Sequence, residues 1–233
     1  AINPLEETFK KQKQFIADAS HELRTPLTII KTNISLLREN EMETIKSQKK
    51  WINYIDSQTG RMSILINEML SLANLDANKK KGEIINFNLS KIISDSLLVF
   101  EVVIFEKGLT LEENISENIF INGEKDQIKK LISILMDNAI KYTAGKEITV
   151  KVYEDDYKCI TEVSNEIYEI PEKIKDNLFD PFIKCNNNNR EISSSGLGLY
   201  ICKRLCEKNN FKIQYFIEKN VIEFIVYFEK HRL

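Results

Sequence analysis

Between Leu5 and Asp76 the chain carries a single glycine, Gly60, and a single proline, Pro26. A stretch this long with so little backbone punctuation admits little except long helices. The apolar residues agree. Ile16, Ala19, Leu23, Leu27, Ile30, Ile34 and Leu37 step by three or four, as one face of a helix requires. Further on, Ile52, Ile55, Thr59, Met62, Ile66, Met69 and Ala73 step alternately by three and four, which is a heptad seam. The spacing predicts a first helix to about Asn40, a turn around Glu41–Ser47, and a second helix folding back to form an antiparallel hairpin. Pro26 removes one backbone hydrogen bond and is expected to bend the first helix. A lone hairpin cannot cover Leu36, Leu65, Leu70 and Leu72 as well. Two hairpins about a two-fold axis form a four-helix bundle, so a homodimer is expected.

The run Asn78–Gly82, NKKKG, breaks the heptads and reads as a linker. It divides the 233 residues into a helical part, 1–78, and a mixed part, 79–233. In the mixed part helices are expected over Leu89–Lys107, Asp126–Lys141 and about Leu197–Lys208. Strands are expected over Glu147–Glu154, Tyr157–Val163, Lys212–Ile217 and Val221–Phe228. Helices and strands without a strict βαβ rhythm suggest an α+β sandwich, with helices packed on one face of a mixed sheet. The fold class expected is therefore multidomain: an all-α hairpin, then an α+β domain.

A net charge of −2 gives electrostatics no reason to favour nucleic acid as a partner. No apolar run reaches the length of a membrane span. Cys159, Cys185, Cys202 and Cys206 lack zinc or redox spacing and are expected as free thiols. Trp51 reads as bundle packing and His231 as a solvated residue.

Three segments carry chemistry. In Phe15–Leu27, FIADASHELRTPL, His21 lies off the apolar stripe and so in water, where a neutral imidazole is a good nucleophile. Glu22 beside it is a candidate base for the proton released on attack. Arg24 could hold phosphoryl oxygens or simply cap the bundle surface. In Leu131–Thr143, LISILMDNAIKYT, Asn138 and Lys141 share a helix face beside Asp137 and Tyr142. An amide oxygen suits Mg²⁺, an ammonium suits phosphate, and an aromatic ring can pack on adenine. In Ser193–Leu205, SSSGLGLYICKRL, a glycine-bearing loop enters a helix whose N-terminus favours phosphate. The candidates there are Gly196, Leu197, Gly198 and Leu199.

These segments closely resemble, in order and spacing, the H, N and G2 boxes of sensor histidine kinases of two-component systems. The resemblance extends over nearly the whole chain. Asn177–Lys184, NLFDPFIK, resembles the family's F box. Phe179 and Phe182 there are read either as the base of a lid over ATP or as plain core. The lid itself would be the polar stretch Cys185–Ser195, with its run of asparagines and Arg190. The G1 box departs most from the pattern: aligned on Ile170–Pro171, Asn165 stands where the family has aspartate, and Ile167 and Glu169 replace two glycines. Asn165 keeps a carbonyl acceptor for the adenine amine but no charge. If Ile167 required a positive φ, the strain would be considerable. Ile134 replaces a second asparagine that many members carry.

The resemblance implies a GHKL-type ATP-binding domain in which Asn138 holds Mg²⁺ and Lys141 meets phosphate, with the γ-phosphoryl group of ATP passing to His21. A response regulator's aspartate would be the next acceptor, and Thr25 matches a position that orients water for dephosphorylating that partner. The opening residues, AINPLEETFKKQKQ, already enter a helix and read as the cytoplasmic portion of a longer protein, for which the resemblance implies a membrane-spanning sensor upstream. Two alternatives stand beside this reading: a degenerate kinase acting as a dimeric scaffold or phosphatase, and a chaperone- or topoisomerase-type ATPase of the same superfamily.

Overall fold

A computed structural model describes residues 4–77, 83–185 and 194–230. The expected linker Asn78–Gly82, the interior of the expected lid with Arg190, Ser193, and His231 lie outside the described residues.

Helix α1 (Pro4–Glu39) and helix α2 (Ile45–Ala77) form the expected hairpin, joined by a turn shorter than the spacing suggested. Thr44 opens α2, its side chain and carbonyl both bonded to Ser47. Helix α1 continues through Pro26, whose ring is buried. The seam differs from the one expected. On α2 the inward positions are Ile55, Gln58, Met62, Leu65, Met69 and Leu72, still at heptad spacing, while Ile52 and Ile66 are exposed. On α1 the most buried residues are Ala19, Pro26 and Asn33, whereas Ile16, Leu27 and Ile34 face outward. Both helices thus carry two apolar stripes. Spacing alone cannot tell which stripe meets the partner helix, and the set read from sequence mixed them.

The rest of the chain is an α+β sandwich. Strand β1 (Ile85–Asn88) pairs antiparallel with β3 (Phe120–Gly123). Between them run α3 (Leu89–Leu97), a 3-10 turn at Leu98–Phe100, α4 (Glu101–Glu106) and β2 (Thr110–Ile115). Asn88 caps α3 by accepting from the Lys91 amide at 2.9 Å. The single helix expected over 89–107 is therefore interrupted. Helix α5 (Lys125–Tyr142) leads into β4 (Thr143–Glu154) and β5 (Lys158–Ile167). After the single turn α6 (Glu172–Lys175) come α7 (Gly198–Asn209), β6 (Lys212–Glu218) and β7 (Val221–Glu229). Asn210 ends α7 in the left-handed region at φ 58°. Lys219 and Asn220, both with positive φ, close the β6–β7 hairpin as a two-residue turn.

The main sheet has the order β2-β4-β5-β7-β6, with β2 parallel to β4 and every other pair antiparallel. Its inner face alternates as the strand period demands, with Val150, Val163 and Phe224 in one row and Ile148, Asn165 and Ile222 in the next. Helices α3, α5 and α7 bury Ile93, Leu97, Leu131, Leu135, Ile201 and Leu205 in the core over that face. Strands β1, β2 and β3 and helix α6 escaped the sequence reading. Among the described residues no helix is long and apolar enough to cross a membrane, and the four cysteines are unpaired.

Candidate nucleotide site and phosphoacceptor helix

Helix α5 carries the densest part of the site. Its inward face belongs to the core, so Asn138, Lys141 and Tyr142 reach the opposite edge, where they line one cavity. Lys141 pairs with Asp137, one turn earlier, at 2.5 Å. The Tyr142 hydroxyl donates to Ser194 Oγ at 2.8 Å, which ties the end of α5 to the start of the glycine loop. Burial raises the Tyr142 phenol above its ordinary pKa.

Asn165 enters the same cavity from the inner face of β5 and is only 4% exposed. Its amide nitrogen donates to Glu166 O at 2.9 Å, leaving the carbonyl oxygen as its acceptor. Ile167 and Glu169 line the cavity as well, and neither takes a positive φ. Ile167 closes β5 opposite Thr143, its amide bonded to Asn220 O at 2.7 Å. The backbone here runs extended without the two glycines of the family pattern, so the anticipated strain is absent.

The glycine loop is held by backbone contact. Gly196 has a φ of 76°, and a Cβ there would stand 2.7 Å from the Phe182 carbonyl carbon and 2.8 Å from Ile183 O. Its carbonyl accepts from the Phe182 amide at 2.8 Å. A Cβ on Gly198 would meet Ile134 Cγ2 at 3.1 Å, so the isoleucine in place of asparagine fills space beside that glycine. Gly196, Gly198 and Leu199 line the cavity; Leu197 is fully buried and packs in the core instead. The Ser195 hydroxyl accepts from the Leu197 amide at 3.0 Å, just ahead of α7.

Phe179 and Phe182 take different roles. Phe179 packs edge-on against Tyr215 at 5.2 Å and against Phe224, within the core. Phe182 holds an unusual φ of 64° and turns its ring to Phe15 of α1, 5.3 Å away. Lys184, two residues on, pairs with Glu22. The segment beside the glycine loop therefore docks on α1 next to His21.

His21 itself is exposed, as are Arg24 and Thr25. The Thr25 hydroxyl donates to the His21 carbonyl at 3.4 Å. None of these three lines the cavity. Two residues of α2 that the sequence did not single out do line it, Ile64 and Glu68. Burial raises the Glu68 carboxyl above the usual range, while a hydrogen bond from Ser195 and the charge of Lys141 act against the rise.

Comparison with known proteins covers both parts of the chain. Residues 11–78 match the His Kinase A (phospho-acceptor) domain. Residues 123–230 match the histidine kinase-, DNA gyrase B-, and HSP90-like ATPase family. Sensor protein DltS of Streptococcus agalactiae serotype III is 32% identical over 220 residues, which is 94% of this chain and 54% of that protein. Signal transduction histidine-protein kinase ArlS of Staphylococcus aureus is 31% identical over 219 residues, 91% of this chain and 48% of that protein. The chain thus spans about half the length of the curated relatives it matches. Among solved structures, histidine kinase ThkA in complex with response regulator protein TrrA superposes with a TM-score of 0.79 at 25% identity, over 97% of this chain and 64% of that one. Histidine kinase AdeS of Acinetobacter baumannii gives 0.71 at 20% identity, over 91% of this chain and 98% of that one, which shows the shared fold.

Proposed function

From the premise that the chain belongs to the sensor histidine kinases of two-component systems, we propose that it binds Mg²⁺-ATP, phosphorylates His21 and passes the phosphoryl group to an aspartate of a response regulator. The observation that carries this reading is one cavity shared by Asn138, Lys141, Asn165, Gly196 and Gly198, walled on one side by α2 of the hairpin whose other helix bears an exposed histidine. In this reading residues 1–78 form the dimerising, histidine-bearing hairpin and residues 79–233 the ATP-binding domain. A membrane sensor region upstream, and a cytoplasmic place for this part, belong to the same proposal.

Each residue's task follows from its setting. Asn165 offers its carbonyl oxygen to the adenine amine, and Tyr142 lies alongside the base. The fully buried Leu197 side chain supports the loop from below. Lys141 and the amides of the Gly196–Gly198 turn, at the start of α7, face the phosphates. Asn138 is the candidate Mg²⁺ ligand: its half-buried amide lines the cavity, while Asp137 beside it is engaged by Lys141. The metal supplies charge neutralisation along the phosphate chain when bound. Phosphoryl transfer demands positioning more than covalent chemistry from the protein. An imidazole nitrogen of His21 attacks the γ-phosphorus, ADP leaves, and Glu22 takes the imidazole proton. Arg24 neutralises the oxygens of the transferred group, and Thr25 orients the water that hydrolyses the phosphoaspartate of the response regulator. Since His21 is outside the cavity, transfer follows a rearrangement of the two parts, within one protomer or across a homodimer. Extended backbone at Ile167 speaks against the degenerate-scaffold alternative, which rests on Asn165, Ile167 and Glu169 together.

The test is incubation with γ-labelled ATP and Mg²⁺ beside a His21→Gln control. The label is expected to be lost in acid, to survive base and to be missing from the control. Sustained hydrolysis of ATP with no phosphohistidine would overturn the assignment in favour of another ATPase.

A further inference from the structure

The nucleotide cavity has one wall that comes from the hairpin. Ile64 and Glu68 sit one helical turn apart on α2 and face into it. The Glu68 carboxylate shares a hydrogen bond with the Ser195 hydroxyl, and Lys141, Lys130 and Asp137 are the charged groups that act on it. Its Oε2 is buried and, among the described residues, has no hydrogen-bond partner. A carboxylate placed this way is costly for packing alone, and apolar Ile64 shows what the same face otherwise accommodates. The groups that act on it include two suited to a phosphate: the Ser195 hydroxyl at the mouth of the glycine turn and the Lys141 ammonium.

We propose that Glu68 is an acidic gate on the nucleotide cavity: while α2 is docked, its carboxylate holds the position at Ser195 and beside Lys141 that a nucleotide's phosphates require. Docking of the hairpin and binding of a nucleoside triphosphate then exclude each other, because two anions cannot share that partly desolvated corner. The inference rests on the ATP-binding reading above. It adds a link to the phosphoacceptor. The docked arrangement also engages Glu22 with Lys184, so phosphates that displace Glu68 also free the acid beside His21.

The experiment measures binding of AMP-PNP with Mg²⁺, and of adenosine, to the wild-type chain and to Glu68→Ala by titration calorimetry. Alanine is the best helix former, so α2 persists in the variant. The gate predicts that AMP-PNP binds about tenfold more tightly to the variant, the scale of one charge-assisted hydrogen bond. Adenosine, which has no phosphate, changes less than twofold. Unchanged or weaker AMP-PNP binding, with adenosine still bound, overturns the gate and leaves the ATP-binding reading intact. Binding of neither ligand to either protein overturns both.

Discussion

At Gly196 the backbone has a φ of 76°, and the space a Cβ would take is filled by the backbone of Phe182 and Ile183. Neither neighbour can move aside as a flexible side-chain tip would. Gly196→Ala is therefore expected to combine a left-handed strain of about 1–3 kcal/mol with loss of the close approach. The melting temperature should fall by about 2–4 °C for each kcal/mol, and AMP-PNP binding should be lost; an unchanged melting curve would refute this. The chemistry at residue scale was legible where residue type and local spacing suffice: Asn138 and Lys141 share a helix face, and a glycine turn precedes a helix. Ile64 and Glu68 were illegible because their place in the cavity depends on α2 packing against a part of the chain distant in sequence. Ile167 was ambiguous for another reason: sequence gives the residue but not its φ.

At the scale of elements, α1 and α2 show how far periodicity reaches. Long helices and a short connection follow from the near absence of glycine and proline, and both exist as expected. The choice between two apolar stripes on each helix does not follow. With Ala19, Pro26, Leu65 and Leu72 turned inward, the outward stripe of Ile16, Leu27, Ile34, Ile66 and Leu70 is the surface a second hairpin would cover. Ile66→Glu with Leu70→Glu should shift the proposed dimer to monomer in sedimentation equilibrium, with helix content kept because glutamate is a good helix former. A double variant that still sediments as a dimer would place the interface elsewhere. Among the strands, β4–β7 announced themselves by β-branched and aromatic runs, whereas β1 and β3 have four residues each and β2 reads TLEENI, too polar to signal a strand. These short or polar strands exist because the sheet and helices beside them supply partners, which a window of local sequence does not contain.

Across the whole molecule, the contact between the parts is chemically mixed. Phe15 of α1 packs against Phe182 at 5.3 Å and Tyr200 at 6.4 Å, Lys184 pairs with Glu22, and Lys130 donates to Ser71. Partly exposed ion pairs are worth at most about 1 kcal/mol each, so apolar packing, of the Phe15 cluster and of α2 against α7, is the main adhesive. Phe15→Ala should loosen the arrangement: the radius of gyration from X-ray scattering should rise while the far-ultraviolet dichroism stays constant. An unaltered scattering curve would show that the remaining contacts suffice. The strand order has its own consequence for how the molecule comes into being. Strand β7 occupies an interior position between β5 and β6, yet it follows every other strand of its sheet in chain order. The hairpin needs only neighbouring helices and can form early on the ribosome, whereas the sheet cannot close before residue 229 has been added. A nascent chain stalled short of Val221 would display a finished histidine-bearing hairpin tethered to a sheet with β5 as a bare edge, a form suited to capture by chaperones rather than to signalling.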